Sequence, residues 1–202
     1  QDFTAFIKAE SGDDFVYLTF GFDPVATDDY DEDIDEEAPD IPDTGFDVAL
    51  NWDGERYITQ ILEGDNNQVE HLFDIKLQFP EGEDIVLTWD DTGLSDAGTF
   101  IIQDIFGGFL GVNVDMTLQN SIPITNSSNF TTLFLKVTPN SDATIDNRAP
   151  YAHAGSDVST IAGLTVQLDA SGSYDPDLDT LTYLWTSLDD IEISDADIVN
   201  PT

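Results

Sequence analysis

Asp175, Asp177 and Asp179 stand at alternate positions in "SGSYDPDLDTLTYLW", residues 171–185. Carboxylates at i, i+2 and i+4 of a turn bring successive oxygens around one hard cation, as calcium loops do with alternate residues. Aspartate is also a good turn former, because its side chain accepts hydrogen bonds from nearby backbone amides. Two roles are therefore open for these residues: calcium ligation, or turn initiation and amide capping.

A second acidic feature is "TDDYDEDIDEEAPDIPD" at 27–43, in which nine of the thirteen residues 28–40 are carboxylates. Pro39 and Pro42 remove backbone donors and oppose both a helix and a central strand, so the segment reads as a loop. It is either a solvated acidic loop or a cation-collecting one, and the residue order does not choose between them.

Catalytic patterns are weak by comparison. Asp-Thr-Gly occurs at 43–45 and at 91–93. That triplet supplies the proton-sharing carboxylates of aspartic proteases, but "IPDTGFD" and "WDDTGLS" lack the apolar approach such a site needs, and Asp-Thr-Gly is ordinary turn chemistry. Among 42 acidic residues, glycosidase-like pairs arise by chance and carry no information. The two histidines, His71 and His153, are not near a serine nucleophile motif. "IFGGFLG" at 105–111 has glycines but neither a following helix nor a Lys, so it reads as a β-bulge or tight bend rather than a phosphate cradle. No enzyme activity is expected of this chain.

The elements that must position these residues are strands. "FVYLTFGF", "DVALNW", "RYITQIL", "EHLFDIKLQF", "DIVLTWD" and "TFIIQDIF" are short, rich in β-branched and aromatic residues, and separated by Gly, Asp, Asn or Pro. "VNVDMTL" puts Val112, Val114, Met116 and Leu118 on one face, and "TTLFLKVTP" does the same for Leu133, Leu135 and Val137. No capped helical stripe is present. The pattern predicts an all-β protein with a β-sandwich over 1–140 that carries the acidic loop 27–43. Residues 141–148, within the polar "PNSDATIDNRAP", read as a linker, and a second domain occupies 149–202.

Composition narrows the partners. Five basic residues stand against 42 acidic ones, a net charge of −37 over 202 residues. Such a surface repels phosphate backbones and anionic lipid, so no nucleic acid and no membrane insertion are expected; the natural small partners are divalent cations. No run reaches the roughly 20 apolar residues of a membrane span. There is no cysteine, which rules out disulfides and thiolate chemistry. The opening "QDFTAFIKAE" is already strand-like and lacks an initiator Met, as a mature N-terminus after signal removal would be.

The second domain carries a specific pattern: "NRAP", the "AGSD" turn at 154–157, "VQLDASGSYDPDLDTLTYLW", and "IEISDADIVNPT". In that order and spacing it resembles the opening part of a polycystic-kidney-disease (PKD) domain, departing where Leu178 stands between the aspartates. The resemblance implies an immunoglobulin-like sandwich of a kind common in secreted bacterial proteins. The residues read independently as strands: "LTVQLDAS" sets Leu164, Val166 and Leu168 on one face and "TLTYLW" sets Leu181, Tyr183 and Trp185 on one face, with Trp185 as the core aromatic of its strand. The resemblance also implies a calcium site near the domain entrance, falling here on Asn147, Asp175, Asp177 and Asp179. An immunoglobulin-like sandwich needs more strands than 149–202 supplies, so this domain is expected to be incomplete. The missing strands would come from more of the chain or from another chain by strand addition. The N-terminal part more weakly resembles segments of large modular secreted bacterial surface proteins.

These expectations converge on a non-catalytic, extracellular structural or adhesive module of a bacterial cell-surface or filament-forming protein, stabilised by calcium. Its partners would be other copies of itself or neighbouring modules of a longer chain. The alternative is an accessory or carbohydrate-binding module of a secreted hydrolase, for which Trp52 or Trp89 would have to form an exposed platform.

Overall fold

The period-two segments fold as strands, and the protein is all-β. In the computed structural model, residues 1–145, 149–161, 163–175, 179–187 and 192–202 are described. Backbone proximity divides the chain into unit 1, Gln1–Asp146, and unit 2, Asn147–Thr202.

Unit 1 contains β1 (Phe3–Ser11), β2 (Asp14–Asp23), β3 (Glu36–Glu37), β4 (Asp47–Trp52), β5 (Glu55–Glu63), β6 (His71–Gln78) and β7 (Ile85–Thr88). A single helical turn, α1 (Leu94–Ala97), leads into β8 (Gly98–Asp104), followed by β9 (Asn113–Asp115), β10 (Ser121–Ile124) and β11 (Thr132–Pro139). They form one sheet in the order β10-β7-β1-β2-β5-β4-β6-β11-β8-β9, with β3 added on β5. Every ladder is antiparallel except β2–β5. A parallel pair needs a crossover connection. Here the crossover is the acidic segment with β3 and β4.

The sheet folds over on itself, sandwich-like, around a phenylalanine-rich core. Phe3 of β1 lies 5.8 Å from Phe100 of β8, and Phe20 of β2 lies 5.9 Å from Phe73 of β6. Strands from distant parts of the path thus bring their apolar faces together. Leu133, Leu135 and Val137 of β11 are all fully buried, as their alternation predicts. The fold leaves no room at Gly21: a Cβ there would come within 2.1 Å of the Phe3 carbonyl oxygen.

One strand is shorter than its pattern. Val112, Val114 and Met116 are buried, but Leu118 is 81 % exposed. The Asp115 carboxylate accepts the Thr117 N–H at 2.9 Å and the Thr117 hydroxyl at 2.7 Å, which turns the chain out of the sheet before Leu118. At the opposite edge, Trp89 N–H donates to the Asn120 carbonyl at 2.9 Å. By the alternation of antiparallel pairs, Pro123 then lies at a position whose N–H would point outward. Proline removes that donor from the free edge.

Of the residues read as linker, Ala143 is buried in the core of unit 1, Ile145 packs against it, and Asp2 N–H donates to the Ala143 carbonyl at 2.9 Å. Among the described residues of unit 2 no continuous strand forms. Tyr151 and Tyr174 make an isolated antiparallel bridge, with N–H···O distances of 2.8 and 3.2 Å and rings stacked at 5.0 Å. Leu168 and Ala170 donate to Pro201 and Val199, and Trp185 donates to Ala196. The alternation still shows: Leu181, Tyr183 and Trp185 are half-buried while Thr182 and Leu184 are exposed. In "LTVQLDAS", Val166 and Leu168 are half-buried, but Leu164, which shares their face by alternation, is exposed.

Candidate functional site

The Asp175 region is built from the Tyr151–Tyr174 bridge. The bridge ties the start of unit 2 to the residue just before Asp175, and Asp175 is buried beside it. Asp179 N–H reaches the Asp175 carboxylate through a long hydrogen bond of 3.4 Å. Asp175 and Asp179, together with Ala149, Pro150, Thr180, Leu181 and Thr182, line a concavity of about 460 Å³. Two of the four residues expected as calcium ligands are therefore brought together, next to the entrance of the unit. The other two, Asn147 and Asp177, lie outside the described residues. Among the described residues no group of three or more His, Cys, Asp or Glu side chains is placed to hold a metal ion. The donors that are placed are carboxylate oxygens, a hard set of the type calcium takes.

The acidic segment 27–43 is anchored rather than free. Asp35 is buried; its carboxylate accepts the Ile61 N–H of β5 at 2.8 Å and the Asp31 N–H at 2.9 Å. Burial pushes its carboxyl above the ordinary range, opposed by those two donors. Asp31 accepts the Thr27 N–H at 2.6 Å, and the Trp52 indole donates to the Asp28 carbonyl at 3.0 Å. Tyr30 stacks on Tyr57 at 6.2 Å. Glu32, Asp33, Glu36 and Glu37 remain on the surface, where they add to a charge that few cations offset. Each of the four described basic residues is ion-paired: Lys8 with Glu10, Arg56 with Asp47, Lys76 with Asp74 and Lys136 with Glu70.

Asp104 is a residue whose role the alternation conceals. It ends β8 fully buried, and its carboxylate accepts four backbone N–H groups, from Phe106 and Gly108 at 3.0 Å, Leu110 at 3.0 Å and Val112 at 3.2 Å. Burial alone would raise its carboxyl, but the donors outweigh that and hold it below the ordinary range. The loop 105–111 is a tight bend, as its glycines predict, wrapped around this one side chain. Gly107, Gly108 and Gly111 take positive φ of 71°, 87° and 104°. A lone acid at the end of an apolar strand, ahead of a glycine-rich run, is the signal that could have disclosed it.

The remaining candidates sit in structural roles. Trp89 is buried with its indole donating to the Met116 carbonyl at 2.9 Å, and Trp52 packs on Phe73 at 5.3 Å, so neither forms an exposed platform. Trp185 is half-buried, its indole donating to the Ile198 carbonyl at 3.0 Å. Asp91–Gly93 makes the turn into α1, while Asp43–Gly45 lies in the bend before β4. His71 packs edge-on against Phe22 at 4.8 Å, and burial lowers its pKa against the pull of Asp28 and Asp65. The Ser173 hydroxyl accepts the His153 backbone N–H and donates to the His153 carbonyl. No helix among the described residues is long and apolar enough to cross a membrane. No protein-family model, curated protein or solved structure matches the chain.

Proposed function

We propose that the chain is a non-catalytic structural or adhesive module of a bacterial cell-surface protein, working outside the cell and stabilised by calcium. The observation that carries this reading is the way its carboxylates are held. The acidic segment is pinned to β5 through Asp35, so its carboxylates are held together on a chain of net charge −37 and their self-repulsion is built in. Bound or condensed cations relieve such repulsion.

In unit 2 the PKD-like pattern gives the cation a place. Asp175 and Asp179 line one concavity with Ala149 and Pro150, two and three residues beyond Asn147. Asn147, Asp175, Asp177 and Asp179 would hold calcium there and tie the entrance of the unit to its Asp loop.

Isothermal titration with calcium chloride tests the site. The wild-type protein should bind with a defined stoichiometry, and Asp177→Asn should weaken the affinity by about tenfold, the loss of one charged oxygen ligand. An unchanged isotherm in that variant would assign 171–185 to turn formation. Antibody labelling of intact source cells tests the location, and labelling that requires permeabilisation would refute it.

A further inference from the structure

We propose that Tyr151 and Tyr174 form a site of oxidative cross-linking, where a peroxide acting through a haem peroxidase joins the two phenol rings as dityrosine. The two residues sit directly opposite each other in the antiparallel bridge at the entrance of unit 2. Tyr151 N–H donates to the Tyr174 carbonyl at 2.8 Å, and Tyr174 N–H donates to the Tyr151 carbonyl at 3.2 Å. This exchange makes them a hydrogen-bonded pair, whose side chains leave the same face. Their rings lie nearly parallel, 7° apart in plane, with centroids at 5.0 Å. Two phenoxyl radicals formed there meet without diffusion, so their coupling is in effect a unimolecular step.

The chemistry balances with peroxide as the oxidant. Each phenol gives up one hydrogen atom, and the two radicals form a carbon–carbon bond between ring positions ortho to the hydroxyls. The hydrogens on those two carbons then move to the phenolic oxygens, which restores both aromatic rings. The peroxide O–O bond breaks as it takes up two electrons and two protons, and it leaves as two waters.

The rest of the chain directs oxidation to this pair. There is no cysteine, and the single methionine, Met116, is fully buried, whereas sulfur oxidation follows exposure. Trp89 is buried, and the indole N–H groups of Trp52 and Trp185 are bonded to backbone carbonyls. Tyr151 is 45 % exposed, within reach of an oxidant. Tyr30 and Tyr57 also stack, but at 6.2 Å and 25°, and Tyr57 is buried. A net charge of −37 keeps separate copies apart at low salt, which favours joining within one chain over joining between chains. In a chain without cysteine, the link does what a disulfide does elsewhere. It constrains the unfolded chain and fixes Asp175, the next residue, at the entrance of unit 2. The setting in which a secreted peroxidase reaches the pair rests on the extracellular reading. The coupling itself is tested on the purified chain, apart from location and from calcium.

Treatment of the full chain with hydrogen peroxide and a haem peroxidase at low salt is the experiment, read by dityrosine fluorescence of the monomer and by mass spectrometry of its proteolytic peptides. The expected product is a monomer lighter by two hydrogen atoms, with the peptides carrying Tyr151 and Tyr174 joined. It should unfold at a higher temperature than the untreated protein. The fluorescence should be lost in Tyr151→Phe and in Tyr174→Phe, which keep the ring and the backbone bridge, and retained in Tyr30→Phe. A monomer without joined peptides overturns the proposal, as does fluorescence that survives Tyr151→Phe or a product in which other tyrosine pairs predominate. A linked monomer that unfolds at no higher temperature overturns the stabilising role.

Discussion

Asp104 shows how one carboxylate organises a loop. Its two oxygens satisfy four amides that would otherwise be left without partners as the chain leaves β8. Asp104→Asn keeps the shape but replaces one acceptor with an NH₂ facing those donors. It should cost about 2 kcal/mol or more, measured by denaturant unfolding at neutral pH. The pH dependence has a definite sign. A carboxyl depressed in the fold contributes stability that is fully present above its unfolded value of about 3.9 and is lost as pH falls through the folded value. The gap between wild type and Asp104→Asn should therefore narrow on going from neutral pH to about pH 3. A gap that stays constant would mean that charge is not what holds the loop. This role was only partly legible in the sequence. The glycines of "IFGGFLG" marked a tight bend, but alternation assigned Asp104 merely to a strand, because period two reports which face a residue takes and not which amides it meets.

At the scale of elements, the strands were the legible part. "TTLFLKVTP" and "EHLFDIKLQF" became β11 and β6 with their apolar faces inward, because burial on one side of a sheet forces the period. Local polar chemistry was harder to read. Asp115 ends β9 early through its bond to Thr117, and Leu118 leaves the core despite fitting the pattern. Likewise, the run 27–43 looked like a loop from its charges and prolines, yet Asp35 within it is buried against β5, which no feature of the run singled out. The pairing of β1 with β2 supplies a sharper test. Gly21 faces the Phe3 carbonyl so closely that any Cβ overlaps backbone rather than a movable side chain. Gly21→Ala should destabilise unit 1 by about 3 kcal/mol through overpacking, seen as a lower thermal midpoint. A stability within about 0.5 kcal/mol of wild type, the range of an ordinary surface substitution, would show that the two strands have room to part.

Across the chain, a large excess of carboxylates faces few cations, and every described basic side chain is already paired. The excess of 42 acidic over five basic residues was plain in the composition, and so was the expectation that cations matter. The proposed cation site was legible in the spacing of Asp175, Asp177 and Asp179 and, with Asn147, in the PKD resemblance. The fold adds the Tyr151–Tyr174 bridge, which carries Asp175 to the entrance of unit 2. General screening and a specific site make different predictions, because screening depends on ionic strength alone whereas a site stabilises by binding the native state. Thermal unfolding in chelator, in millimolar calcium chloride, and in sodium chloride of matched ionic strength separates them most directly. We predict a midpoint clearly higher in calcium than in matched sodium, with the excess lost in Asp177→Asn; equal midpoints in the two salts would contradict the account.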